Sequence, residues 1–100
     1  MPKTAFIILK SPQEQDPTHM LKRLAERRET TVILLEDGVY QAIVAPAAER
    51  LAKVAGDVLV LREDFEARGV SASDIKVGKA VEYADLIDCI MERTERTVTI

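Results

Sequence analysis

The chain has no tryptophan and only four aromatic residues, Phe6, Tyr40, Phe65 and Tyr83. Aliphatic side chains must therefore supply most of any core. It has one cysteine, Cys89, so no intrachain disulfide can form, which fits a reducing compartment and sets the expectation of a cytoplasmic protein. With one histidine, His19, a closed zinc site would need carboxylates for its remaining ligands. A serine nucleophile would likewise have no base other than His19. The four glycines, at 38, 56, 69 and 78, are too dispersed for a GxGxxG or Walker loop, so neither metal nor cofactor is expected. No run approaches the ~20 apolar residues of a membrane helix, and the apolar run at 6–9, ended by Lys10, is too short for the core of a signal peptide. The net charge of −3 offers no basic face for nucleic acid. The densest basic stretch, Lys22, Arg23, Arg27 and Arg28, is interrupted by Glu26 and followed by Glu29, and reads as a solvated helix face.

What remains is the composition of an ordinary globular protein, 47% hydrophobic and 31% charged over 100 residues. That is enough for one domain spanning 1–100. A core this small favours an oligomer that covers additional apolar surface.

Three short apolar runs, at 5–9, 32–35 and 58–61, are rich in β-branched residues and do not alternate with polar ones. They read as strands buried on both faces, as in a parallel sheet covered by helices. The segments between them read as crossover helices. Asp16 is a good N-cap with Pro17 at the first helical position, followed by an apolar stripe of Met20, Leu21, Leu24 and Ala25. A short helix is expected over 38–44 and another over 46–54, the latter turning Leu51 and Val54 inward and ending at Gly56. A third runs over 62–68 and closes at Gly69. A fourth strand is expected at 75–77. A last helix at 82–93 carries Tyr83, Leu86, Ile87 and Ile90 on one face, and an edge strand follows at 98–100. The expected fold is α/β, a three-layer sandwich with a mostly parallel sheet of four to five strands and helices on both faces.

Two acidic motifs follow strands: Glu36-Asp37-Gly38-Val39-Tyr40, and Arg62-Glu63-Asp64 continuing through Ala67-Arg68-Gly69. Part of their composition serves helix ends. Glu63 and Asp64 suit a first turn and Arg68 a last turn, Gly69 suits a left-handed C-cap, and Asp37 is placed to cap the helix that Gly38 opens. Location adds something more. In a parallel sheet both motifs lie beyond the carboxyl ends of strands, where α/β proteins place their sites, and Lys10-Ser11-Pro12 reaches the same rim. Lys10, Glu36, Asp37, Tyr40, Glu63, Asp64 and Arg68 are the candidate contact residues. Their mixed charge suits a protein surface better than an anionic ligand. On the last helix, Cys89 falls off the expected apolar face beside Asp85 and Glu92, whereas reactive thiols prefer electropositive surroundings. A small packing residue is the simpler reading of it.

These pieces, in order and over nearly the whole chain, resemble the TusB/DsrH family of sulfur relay proteins within the DsrE-like superfamily. The resemblance rests on Lys10-Ser11-Pro12, on the two acidic motifs, and on Tyr83 and Asp85 opening the last helix. It implies a small, non-catalytic α/β subunit of a cytoplasmic heterohexamer. Its partners there are two related subunits, of TusC/DsrF and TusD/DsrE type. The complex relays persulfide sulfur toward 2-thiouridine at tRNA wobble positions or within dissimilatory sulfur oxidation. Some members carry a cysteine just before the leucine corresponding to Leu21; here that residue is Met20, which cannot hold a persulfide. Two alternatives stand beside this reading: a sulfurtransferase with Cys89 as persulfide carrier, and a stand-alone homo-oligomer of the same fold.

Overall fold

A computed structural model of the chain describes residues 4–24 and 26–100. The three apolar runs form β1 (Thr4–Ile8), β2 (Thr30–Leu34) and β3 (Asp57–Leu61). Two further strands, β4 (Lys79–Val81) and β5 (Arg96–Thr99), complete a sheet of order β4-β3-β2-β1-β5. Every neighbouring pair is parallel. The helices are α1 (Thr18–Leu24), α2 (Ala45–Val54), α3 (Arg62–Ala67) and α4 (Tyr83–Asp88), the last running on as a π turn over Cys89–Arg93.

The strand order dictates where the helices lie. The chain steps β1 to β2 to β3 to β4 in one direction across the sheet. Right-handed crossovers then place the connecting helices on the same face. The return from β4 to β5, at the opposite edge, reverses direction and must cross the other face. The core divides accordingly. One side packs Leu21, Val39, Ala42, Leu51, Val54 and Phe65 onto Phe6, Ile8, Val32, Leu34, Val58 and Val60. Among the described residues the other packs Leu86 and Cys89, with half-buried Ile90, onto Ala5, Ile33, Leu59, Leu61 and Val81. The layers are three, but the second face has a single helix above it.

Several expectations shift: the helix expected over 38–44 is a 3₁₀ helix over Glu36–Ala42, and the edge strand is Arg96–Thr99 rather than 98–100. The fourth strand is at Lys79–Val81 rather than 75–77. A capping box at Ser71 and Asp74 tightens the preceding turn, and the Lys76 amide donates to the Ala42 carbonyl at 2.8 Å instead of to β3. Ile75 and Val77 pack against the core as loop residues, and pairing with β3 begins only past Gly78. The last helix also presents a different face. Leu86 and Cys89 are buried, whereas Tyr83 and Ile87 are exposed. The helix is anchored by a capping box between Glu82 and Asp85 and runs on as a π turn at Cys89; its buried side is the i, i+3, i+4 stripe of Leu86, Cys89 and half-buried Ile90, turned away from Tyr83 and Ile87. On α1, Leu21 is fully buried, but Met20 is 42% exposed; Ala25 and the Leu24 side chain lie outside the described residues.

Asp16 does cap α1. One carboxylate oxygen accepts from the Thr18 amide at 3.1 Å and from the Thr18 hydroxyl at 2.6 Å, and the other faces Arg50 at 3.3 Å. The Thr18 hydroxyl bond is the largest influence and outweighs the opposing effect of burial; with smaller help from the Thr18 amide, Arg50 and His19, it holds the carboxyl below its ordinary value of 3.8. A depressed folded-state value means that this stability is present above about pH 4 and is lost as the pH falls through the folded value. Asp16→Asn, whose amide oxygen can still accept from Thr18, is expected to flatten the acid limb of a stability–pH curve below pH 4. An unchanged limb in urea titrations at pH 2–5 would contradict the assignment.

Candidate functional site

With all five strands parallel, their carboxyl ends meet at one rim, and both acidic motifs are there. The chain leaves β2 through Leu35 and enters a 3₁₀ turn over Glu36–Ala42. Glu36 has φ 51°, the one non-glycine residue with positive φ among those described. A left-handed residue with a Cβ costs roughly 1–2 kcal/mol, so its neighbours must hold it there. They do: the Glu36 amide donates to the Asp64 carboxylate at 2.6 Å, across 28 residues of sequence. Two residues on, Gly38 packs directly against β1, where an added Cβ would lie 2.0 Å from the Ile8 carbonyl oxygen.

The second motif answers the first. Arg68 donates through Nε to Asp37 at 2.9 Å and through Nη1 to the Asp64 carbonyl at 2.9 Å. Arg68 is the C-cap of α3. Beyond it the Gly69 amide bonds the Glu66 carbonyl and the Val70 amide bonds the Phe65 carbonyl, with Gly69 at φ 75°. That pairing is a Schellman closure, with Val70 packed against the core that holds Phe65. One ion pair further along the rim, Arg62 Nε to Glu82 at 2.9 Å, ties the end of β3 to the end of β4. Arg62 also stands over the Phe65 ring at 6.0 Å.

Geometry therefore sorts the candidate residues. Asp37, Asp64 and Arg68 are internal ties between the two motifs. Asp37 does not cap a helix: it lies inside the 3₁₀ turn, whose N-cap is Leu35, and its carboxylate goes to Arg68 instead. Glu63 and Asp64 occupy the first turn of α3 as expected, but Asp64 serves Glu36. Glu36 and Glu63 are exposed, and neither side chain forms an ion pair among the described residues. Lys10 is exposed and joins the rim through its backbone, not its ammonium. Its carbonyl accepts from Gln41 Nε2 at 3.2 Å, and the same amide group donates to the Gln15 carbonyl at 3.0 Å. Gln41 is fully buried and ties the 3₁₀ turn to the segment after β1. No spacing rule points to it, because its partners are backbone carbonyls far away in sequence. Tyr40 lines a cleft of about 330 Å³ with Ser11, Pro12, Gln13, Asp37 and Val44.

A second cleft, about 430 Å³, opens beside the start of α1 between Asp16, His19, Met20 and Arg23. Cys89 is elsewhere, 3% exposed beneath α4. Among the described residues no group of three His, Cys, Asp or Glu side chains is placed to hold a metal ion, and no helix is long and apolar enough to cross a membrane.

Protein TusB of Erwinia tasmaniensis is 33% identical over 90 residues, covering 89% of this chain and 93% of that protein. The solution NMR structure of protein Tm0979 from Thermotoga maritima superposes with a TM-score of 0.62 at 29% identity, covering 86% of this chain and 90% of that one. The model of the DsrH like protein family matches residues 10–96, a span that includes every rim residue described above. On that match and that likeness, the chain belongs to the TusB/DsrH family of sulfur relay proteins.

Proposed function

We propose that the chain is a non-catalytic subunit of a cytoplasmic persulfide-relay complex. Its partners are two related α/β chains of the TusC/DsrF and TusD/DsrE type. The sulfur is destined for tRNA wobble-uridine thiolation or for sulfur oxidation. One observation carries the non-catalytic part: the only thiol in the chain is buried under α4, and the cleft where some relatives place a cysteine holds Met20. A persulfide carrier must present a nucleophilic thiolate to a donor and an acceptor, and this chain offers a thioether there.

The rim supports the assembly part. Its internal ties fix the backbone of both motifs and leave the Glu36 and Glu63 carboxylates outward. Exposed charges of this kind steer and select partners more than they stabilise a fold. Co-expression with the related chains from the same genome, followed by analytical ultracentrifugation, tests the reading. The double variant Glu36→Lys/Glu63→Lys is expected to weaken the complex about tenfold or more, with a urea midpoint close to that of the unmodified chain. Asp64→Lys, by contrast, should lose stability of about 1–3 kcal/mol by freeing the Glu36 amide. Unchanged sedimentation of the double variant would remove the rim from the contact.

A further inference from the structure

The winding of the sheet leaves one face thinly covered, and the helix that crosses it is not finished on its outer side. Residues of α4 and its π turn form distinct rows at four-residue spacing. Leu86 and Ile90 face the sheet. Tyr83, Ile87 and Met91 face away from it, exposed by 62%, 41% and 76%. They are three of the five large exposed hydrophobic side chains among the described residues, the others being Met20 and Val44. Beside this apolar row runs an acidic one, Asp88 and Glu92. Both are exposed, and neither forms an ion pair among the described side chains. The sheet beyond the helix continues the open surface. Ile7 and Leu35 are only half-buried, and Thr97 and Thr99 of β5, in register with Ala5 and Ile7, are exposed.

A row of three large apolar side chains bordered by unpaired carboxylates marks a contact surface of defined chemistry. A second copy of the chain fits it poorly. A two-fold α4–α4 contact is self-complementary only if each patch matches itself, and here it would bring Asp88 and Glu92 of one copy against the same acidic row of the other. Like charges across a desolvated contact are strongly disfavoured. We infer that the outer face of α4 docks a different chain, through an apolar surface bordered by lysine or arginine. Resting on the relay-subunit reading, that chain is one of the related α/β subunits. This contact is separate from the rim, since Tyr83, Ile87 and Met91 lie on the outer side of α4 and the rim's free carboxylates on the connections after β2 and β3.

The experiment uses the complex co-expressed with the related chains from the same genome. A photo-crosslinking side chain replaces Met91, and Asp88→Lys/Glu92→Lys is prepared separately. The expected result is a cross-link from position 91 to a related subunit. Association of the charge-reversed variant should be weakened about tenfold or more at low salt, with the gap narrowing as salt screens the charges. Urea unfolding of the isolated variant checks that the fold is intact. A complex that forms normally, without a cross-link from position 91 and without an effect of the reversal, overturns the α4 assignment and leaves the relay-subunit reading standing. A cross-link between two copies of this chain overturns the choice of occupant. Failure of any complex to form overturns both.

Discussion

Gly38→Ala is expected to destabilise the chain by about 3 kcal/mol, the upper end of what overpacking costs. The cause is backbone against backbone. A Cβ at position 38 would sit 2.0 Å from the Ile8 carbonyl oxygen and 2.8 Å from its carbon, and Ile8 is the last residue of β1, fully buried. That carbonyl is also engaged, accepting from the Leu35 amide at 3.1 Å, so it cannot swing away without losing its bond. Relief would require the 3₁₀ turn to lift off the sheet, which would carry Asp37 away from Arg68 and strain the Glu36–Asp64 bond. Gly69→Ala is the control. Position 69 has φ 75° and nothing within 4 Å of an added Cβ, so its cost is conformational alone, about 1 kcal/mol. Urea unfolding of the two variants, compared by midpoint at constant slope, separates steric exclusion from backbone preference. A Gly38→Ala chain as stable as Gly69→Ala would mean that the turn is free to move, and that the rim is not held as described.

That comparison shows where reading the chain by pattern succeeds and where it stops. Gly69 was legible because a C-cap glycine follows from local rules: a helix ends, an arginine lies in its last turn, and the next residue must turn left-handed. Gly38 was not, because what forbids a side chain there is a carbonyl thirty residues earlier. The same division runs through the fold. Buried parallel strands announce themselves as unbroken β-branched runs, so β1, β2 and β3 were evident. The three-residue β4 is half exposed and carries no such run, and the more apolar Ile75-Lys76-Val77 beside it drew the assignment. Its lysine amide is spent on Ala42, a long-range bond with no trace in the local pattern. On α4 the apolar residues Tyr83, Leu86, Ile87 and Ile90 span a face wide enough to fit more than one orientation, and only packing against the sheet selects the side of Leu86 and Cys89; the hydrophobic side chains left outside become a surface.

The rim itself was legible as a place but not as a mechanism. Sequence order put both acidic motifs past the ends of adjacent strands, and the structure joins them there. Which carboxylates are tied and which are free could not be read from spacing. Asp37 looks like a cap in sequence and is a partner for Arg68 in space. Asp64 looks like a dipole-compensating residue and is also the acceptor that holds a left-handed Glu36. The free members, Glu36 and Glu63, are the ones that a partner can address.

Met20→Cys is expected to change what the chain can do, not how well it folds. Position 20 is 42% exposed and shares its cleft with Arg23, a cationic neighbour of the kind that favours a thiolate. Asp16, the acidic member of the cleft, is already engaged by Thr18 and Arg50, which limits its opposing influence. Cys89 is the contrasting case, 3% exposed beneath α4 among Leu59, Leu61, Val81 and Leu86, and reachable only when α4 opens. A thiol reagent should therefore label native Met20→Cys roughly a hundredfold or more faster than the unmodified chain, whose labelling must wait for local unfolding. The same contrast should hold for sulfur. Incubated with a cysteine desulfurase and cysteine, Met20→Cys/Cys89→Ser should gain the mass of one sulfur atom, reversible by a reducing thiol, while the unmodified chain gains none. A stable persulfide on the unmodified chain that disappears in Cys89→Ser would reverse the conclusion, making Cys89 the carrier and α4 the element that must move to expose it.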